Sequence, residues 1–312
     1  MRIARVHAHP APPPAPPLSS EQVARACLSL EGLSLGDAFG ERFFFVTESA
    51  ELSPEAPLPP APWSWTDDTH MALSVVEVLQ QYGTINPDEL ARAFARRFDL
   101  EPNRGYTGAA YRLLSELAMG GDWRVLATAM FDGHGSHGNG AAMRAAPIGA
   151  AFAGDPERAA REAQCSAAVT HAHPEGQAGA IAVAVAASLA ACAEPLRGRD
   201  LVDSVLSHLP ASEVRTRLIG ALAIDPDDLA RACDELGTGY ELSAQDTVPF
   251  CIWSAAHHGH DYERALWCTV AGLGDRDTTC AIVGGIVALS APTLPAAWLE
   301  RREPLPAAFR RT

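Results

Sequence analysis

An all-α fold is what this sequence predicts, on three observations. Apolar residues recur at three- and four-residue spacing in segment after segment, strand-like alternation is scarce, and no hairpin signature appears. No composition shift and no repeat period divides the chain, so one large domain accounts for its 312 residues. The expected organisation is a Pro-rich tail over 1–20, a helical domain over 21–293 and a C-terminal tail over 294–312.

The elements follow in order. A first helix is expected over 21–35, after Ser19 and Ser20, either of which is able to cap it. The next, over 68–82, carries Met71, Ala72, Val75, Val76, Val78 and Leu79 on one helical face. Asp67 and Asp68 then stand at its first turn, where the helix dipole favours negative charge. Helices are also expected over 88–98, 107–118, 155–170, 177–193, 198–208, 226–236, 248–257 and 262–273, and one over 280–289 closes the bundle. Asp225 before Pro226 reads as an N-cap followed by proline at the first helical position. The longest apolar run, 178–193, is short for a membrane span and consists largely of alanine. It reads as a helix buried at the centre of the fold. Residues 54–62 and 133–140 read as loops.

Bulk properties set limits. A hydrophobic fraction of 47% supplies a sizeable core, and a net charge of -14 argues against nucleic-acid binding by backbone neutralisation. The seven cysteines are scattered, odd in number and without a CxxC pair, which suits a reduced, buried set in a cytoplasmic protein. Arg2 and Arg5 are followed by the Pro-rich stretch 9–17 rather than an apolar signal core. That stretch reads as a disordered or polyproline II tail, with a PxxP ligand as the functional alternative.

Two acidic clusters carry the chemistry, Trp65-Thr-Asp-Asp-Thr69 and Gly274-Asp-Arg-Asp-Thr-Thr279. Adjacent carboxylates repel and resist desolvation, so each doublet asks for a cation. The donors are hard oxygens, which fit Mg²⁺, Mn²⁺ or Ca²⁺ rather than Zn²⁺. Thr66, Asp67 and Asp68 are expected to precede one helix, and Asp275, Asp277 and Thr278 the helix starting near Cys280. The plainer reading is a pair of N-caps with acidic first turns. Between the clusters lies Gly135-Ser-His-Gly-Asn-Gly-Ala-Ala-Met-Arg144, a Gly-rich loop able to offer amides to a phosphate, or else an ordinary tight loop. In Gly32–Gly40 the small residues suggest close helix packing, with Asp37 satisfying backbone donors. His257, His258 and His260 read as a solvated turn, and His134 and His137 flank the glycines, either able to touch phosphate or simply exposed in the loop.

Together these segments resemble the ADP-ribosylglycohydrolase family, which includes the dinitrogenase reductase-activating glycohydrolases. The elements occur in the family's order: Gly36-Asp-Ala-Phe-Gly40, Trp65-Thr-Asp-Asp-Thr69, Arg104-Gly-Tyr106, Gly138-Asn-Gly-Ala-Ala-Met-Arg144 with Pro147, Thr170-His171, Gly176 and Gly179, Asp246-Thr-Val-Pro249, and Gly274-Asp-Arg-Asp-Thr278 with Gly284 and Gly285. The resemblance covers about residues 22–291. It implies an orthogonal multi-helix bundle with a binuclear Mg²⁺ or Mn²⁺ centre in its cleft. By position, Thr66, Asp67, Asp68, Asp275, Asp277 and Thr278 would be the metal ligands, with Asp277 bridging. The substrate implied is ADP-ribose joined through C1 of its distal ribose to an acceptor, arginine by the look of the Trp-Thr-Asp-Asp-Thr pattern. Serine-, nucleic-acid- or small-molecule-linked ADP-ribose remain alternatives. An antitoxin role, or a non-catalytic binding protein with the same fold, also remains.

Gly138, Asn139, Gly140 and His171 would contact the ligand, and Tyr106 would either stack near the adenosine end or serve as a core tyrosine. Asp67 and Asp68 would activate water. The resemblance departs at one point: Phe44 stands where many members carry a flap glutamate, which leaves Glu41 as the substitute and Glu48 as the next nearest acid. The implied partners are an ADP-ribosylated protein and the ADP-ribose product, with no membrane, and a monomer is expected.

Overall fold

The computed structural model describes residues 16–310, so most of the Pro-rich stretch 9–17 lies outside the described residues. Fifteen helices run through them: α1 (Ser20–Gly40), α2 (Asp67–Tyr82), α3 (Pro87–Leu100), α4 (Gly108–Ala118), α5 (Trp123–Gly133), α6 (Ala146–Ala151), α7 (Pro156–Ala168), α8 (Pro174–Ala190), α9 (Gly198–His208), α10 (Glu213–Ala221), α11 (Leu229–Leu236), α12 (Ala244–His258), α13 (Tyr262–Ala271), α14 (Arg276–Val287) and α15 (Ala296–Leu299). Among the described residues β-structure is confined to two isolated bridges, Trp63 with Arg302 and Gly138 with Ser243. None of these helices is long and apolar enough to cross a membrane.

Glycine at every fourth position makes the seam at the centre. A Cβ on Gly32, Gly36 or Gly40 of α1 would stand 2.4 Å from Ala288 Cβ, 2.0 Å from the Cys280 carbonyl and 2.1 Å from the Arg276 carbonyl. The two backbones therefore touch along three turns, an approach that any side chain would prevent. The seam carries α1 past residue 35, where its first stretch was expected to end, to Gly40. Its start is fixed by a reciprocal capping box between Ser19 and Gln22. Behind it, α8 is buried almost all round and packs against α6, α7 and α12, as its alanine run predicted.

Several boundaries differ from expectation, each with a local cause. Helix α11 begins at Leu229, not Pro226: Asp228 accepts from the Arg231 amide and caps it, whereas Asp225 only closes a turn to Asp227. Helix α12 starts at Ala244 and runs through Pro249, and α14 starts at Arg276, four residues before its expected start. Asp277 and Thr278 are thus inside its first turn. Helices α5, α6, α10 and α15 were not expected from the sequence. His257 and His258 do not form a solvated turn. They close α12 against Trp253, at 5.5 and 6.2 Å between ring centroids, and burial pushes His258 down to about 4. Residues 294–310, read as a tail, pack inward through Trp298, Leu305 and Phe309. Trp298 stacks on Phe39 at 4.3 Å, and Trp63 pairs with the Arg301–Glu303 backbone. No disulfide links the cysteines among the described residues, and only Cys27, Cys251 and Cys280 of the expected buried set are buried; Cys165 is exposed.

Candidate active site

The glycine seam delivers Asp37, fully buried on α1, to the starts of α2 and α14. Its carboxylate accepts from the Thr66 amide at 3.0 Å, the Thr69 amide at 3.1 Å, and the Thr66 and Thr69 hydroxyls at 2.9 and 2.5 Å. Asp37 thus supplies, from another helix, the acceptor that α2 would otherwise take from its own N-cap. Thr66 occupies the N-cap position without using its side chain as a cap, and so does Asp275 at α14. Ordinary capping therefore does not account for either cluster.

The Thr66 hydroxyl lies 2.9 Å from Asp37 Oδ1, 3.0 Å from Asp68 Oδ2 and 3.5 Å from Asp277 Oδ2. One proton cannot serve three carboxylates. Oxygens of Asp37, Asp68 and Asp277 all lie within 4.8 Å of one another, and Asp68 Oδ1 is buried with no partner. The one cation in the motif does not help, because Arg276 turns away and donates to the carbonyls of Phe43 and Val46. Crowded, buried, all-oxygen donors are what a divalent cation needs, so these residues fit a metal. Sequence reasoning gave Asp37 only a backbone role. Its neighbours Gly36 and Gly40 were the available sign that this acid sits on a close-packed face.

Without a cation the carboxyls hold their protons. Burial, opposed by the threonine donors, lifts Asp37 to about 6. Burial first and then the Asp37 charge lift Asp67 to about 7. Asp68 and Asp277 are raised well above the usual range, by burial and then by Asp277 and Asp275 respectively. An acid with a raised folded pKa favours the native state below its unfolded value near 4, and that advantage is lost as pH rises through 6 to 7. Metal-free protein should therefore melt a few degrees lower at pH 7.5 than at pH 5, on the order of 1–3 kcal/mol. Mg²⁺ should restore most of the difference. Melting curves at both pH values with and without Mg²⁺ test this, and an unchanged pH dependence in Mg²⁺ would count against a cation at the cluster.

A cavity of about 350 Å³ opens onto the acids. Asp67, Asp275, Asp277 and Thr278 form its floor, while Thr66 and Asp68 are buried and do not line it. Gly138, Asn139, Gly140 and His171 form one wall, as expected. The Asn139 side chain is committed to the cluster, however: Nδ2 donates to Asp275 Oδ2 at 2.7 Å and to Thr247 Oγ1 at 3.1 Å. Only a short 3-10 turn, Asn139–Ala141, follows the glycines, not the helix that the loop was expected to enter. Tyr106 stands behind the wall that Gly105 and Thr107 make. It bonds His70 Nδ1 at 2.8 Å and packs on Phe98 at 5.3 Å, so it is the core tyrosine of the two alternatives.

Phe131 was missed. The last turn of α5 unwinds, Phe131 takes φ 51° and Asp132 φ 59°, and the half-exposed ring lines the cavity. Non-glycine residues avoid that region, and such strain collects at ligand sites. No local pattern in the sequence marks it.

Glu41 follows α1 directly and is exposed at the start of the 3-10 turn Glu41–Phe43. Partial burial and the Asp275 charge raise its pKa, and its own charge in turn raises that of Asp67. It stands beside the cluster but is not part of the cavity wall. Glu48 is exposed on the next turn.

Comparison with known proteins agrees with this geometry. A sequence model of the family described as ADP-ribosylglycohydrolase matches residues 18–311. An uncharacterized protein of Archaeoglobus fulgidus is 30% identical over 292 residues, 90% of this chain and 91% of that one. ADP-ribosylhydrolase ARH3 of Gallus gallus is 30% identical over 72% of this chain and 69% of its own, and that of Homo sapiens 29% identical over 84% and 83%. A solved structure titled ADP-ribosylglycohydrolase-related protein complex has the same fold, with a TM-score of 0.57, 23% identity, and 91% and 94% of the two chains covered.

Proposed function

We propose that this chain, which belongs to the ADP-ribosylglycohydrolase family and is a glycohydrolase of ADP-ribose linkages, removes single ADP-ribosyl groups from modified proteins with the help of two Mg²⁺ or Mn²⁺ ions. The observation that carries the reading is the carboxylate cluster of α1, α2 and α14, which reaches the floor of a cavity with a glycine wall through Asp277. Thr66, Asp67, Asp68, Asp275, Asp277 and Thr278 would hold the ions. Bound there, divalent ions would polarise the distal ribose hydroxyls and a water.

The remaining work falls to side chains. Asp67 faces the cavity and is placed to take the proton of the attacking water, whereas buried Asp68 serves to hold. Asn139 orients Asp275, and the Gly138–Gly140 backbone leaves room for the ligand's diphosphate. The ring of Phe131 offers a stacking face for the adenine. As C1 of the distal ribose becomes oxocarbenium-like, the carboxylates at the floor stabilise it.

Arginine is the acceptor that the Trp65–Thr69 pattern suggests. Serine-, nucleic-acid- and small-molecule-linked ADP-ribose are its rivals. Release of free ADP-ribose from arginine-, serine- and nucleic-acid-linked substrates, with and without Mg²⁺, decides between them. No release from any of them in Mg²⁺ or Mn²⁺ would sink the hydrolase reading.

Glu41 tests the flap. Glu41→Gln should lower kcat by about tenfold with KM little changed, since it removes a charge beside Asp67 and Asp275. A kcat within about threefold of wild type, under ~1 kcal/mol, would leave water activation to Asp67 alone.

A further inference from the structure

Arg144 is wholly buried at the back of the cavity and has no carboxylate partner among the described residues. Its Nη1 donates to the Gly140 carbonyl at 3.0 Å, and its Nη2 to the Ser166 carbonyl at 3.0 Å and to Thr170 Oγ1 at 2.8 Å. Its Cζ lies over the Phe94 ring, 4.6 Å from the centroid. Thr170 Oγ1 in turn lies 2.7 Å from Nδ1 of His171.

The direction of these bonds follows from donor counting. Arginine only donates, so the Thr170 oxygen must accept from it. Thr170 then has one proton to give, and among the described residues its remaining partner is His171 Nδ1. The opposite arrangement, with Nδ1–H donating to Thr170, would leave a buried hydroxyl proton with no partner. His171 Nδ1 is therefore the acceptor, and its proton is on Nε2. Burial, reinforced by the Arg144 charge, pushes the ring down to about 3, so it is neutral at working pH.

Three glycines pack close to the His171 side chain. Cβ atoms on Gly138 and Gly140 would stand 3.3 and 3.4 Å from Nε2, and one on Gly176 would stand 3.1 Å from His171 Cβ. Nε2 has no hydrogen-bond partner among the described residues, and His171 lines the cavity.

We propose that Arg144 and Thr170 are positioning residues that lock His171 in its Nε2–H tautomer, a neutral donor aimed from between the glycines at an anionic oxygen of the ligand. The identity of that oxygen, on the diphosphate, rests on the function proposed above. The tautomer does not. A neutral donor needs no counter-ion in the empty cavity, and its proton stays in place across the pH range in which an ordinary histidine titrates. The Arg144 charge behind it adds attraction for an anion without touching one.

The test uses the full chain in Mg²⁺, labelled with ¹⁵N-histidine, and ADP-ribose as the probe. In wild type, His171 should give an unprotonated Nδ1 and a protonated Nε2 signal that do not move between pH 5 and 8. Thr170→Val should mix the tautomers and weaken ADP-ribose binding about tenfold by calorimetry. Thr170→Ser should restore both. The ¹⁵N signature separates positioning from mere packing, because a simple loss of fit would not shift the proton between nitrogens. A protonated Nδ1 or an imidazolium in wild type at pH 7, or an unmixed tautomer in Thr170→Val, would overturn the relay. A mixed tautomer with wild-type affinity would overturn the role of Nε2 in binding. Failure of the wild type to bind ADP-ribose would overturn the diphosphate assignment together with the proposed function, leaving the tautomer assignment to stand or fall on its spectrum.

Discussion

Asp277→Ala is expected to cut turnover by more than about a thousandfold, some 4 kcal/mol of transition-state stabilisation, while the helical fold survives. The side chain lies where the clusters meet. Oδ2 is 3.5 Å from the Thr66 hydroxyl, and Oδ1 accepts from the neighbouring Thr278 amide at 2.8 Å. Burial and then Asp275 raise its pKa well above the carboxylate range, so in metal-free protein its charge costs stability. Alanine should leave the metal-free melting temperature unchanged or slightly higher, and abolish the increment that Mg²⁺ gives wild type. Circular dichroism, melting with and without Mg²⁺ and ADP-ribose release form the test. Near-wild-type turnover would remove Asp277 from the centre, and collapse of the helical signal would make its role structural.

Asp37→Ala should fail in the opposite way, through stability first. The carboxylate is the common acceptor for two amides and two hydroxyls of residues Thr66 and Thr69, all buried. Removing it strands those donors at about 1–3 kcal/mol for each one left unpaired, offset in part by relief of charge repulsion with Asp68 and Asp277. A net loss of about 3–5 kcal/mol is expected, large enough to lower the melting temperature by roughly 10 °C. Activity should fall with it, because the start of α2 sets Thr66, Asp67 and Asp68. Asp37→Asn keeps one acceptor oxygen and should lie between. A melting temperature within a degree or two of wild type in Asp37→Ala would show that the α2 amides find another acceptor. The contrast between the two variants separates an acid that organises the site from one that works in it.

Much of this was legible before any coordinates, where the signal was local. The spacing in 68–82 gave α2 to within one residue, and 198–208 gave α9 without error. Misplaced boundaries have a common cause: competing caps. Asp225 and Asp228 are equally good N-cap residues in sequence, and only the bond from the Arg231 amide chooses. Phe131 left no trace because a positive φ in a phenylalanine is imposed by surroundings, not by the residue. Tyr106 and Asn139 were recognised as near the cavity, but their partners, His70 for one and Asp275 for the other, come from distant parts of the chain.

The sequence by itself determined the all-α class, the two acidic helix starts and the oxygen-only donor set, because periodicity, capping and charge repulsion act within a turn or two of chain. Only the tertiary structure decided that these acids form one cluster. Residues 68 and 277 meet because Gly36 and Gly40 let α1 lie with its backbone against that of α14, carrying Asp37 between them. Tertiary structure also decided that Arg276 faces the Phe43 and Val46 carbonyls and not its flanking aspartates, and that Arg144 has no carboxylate partner among the described residues behind His171. Which side chain is left without a partner depends on the packing of elements far apart in the chain, and no local pattern records it.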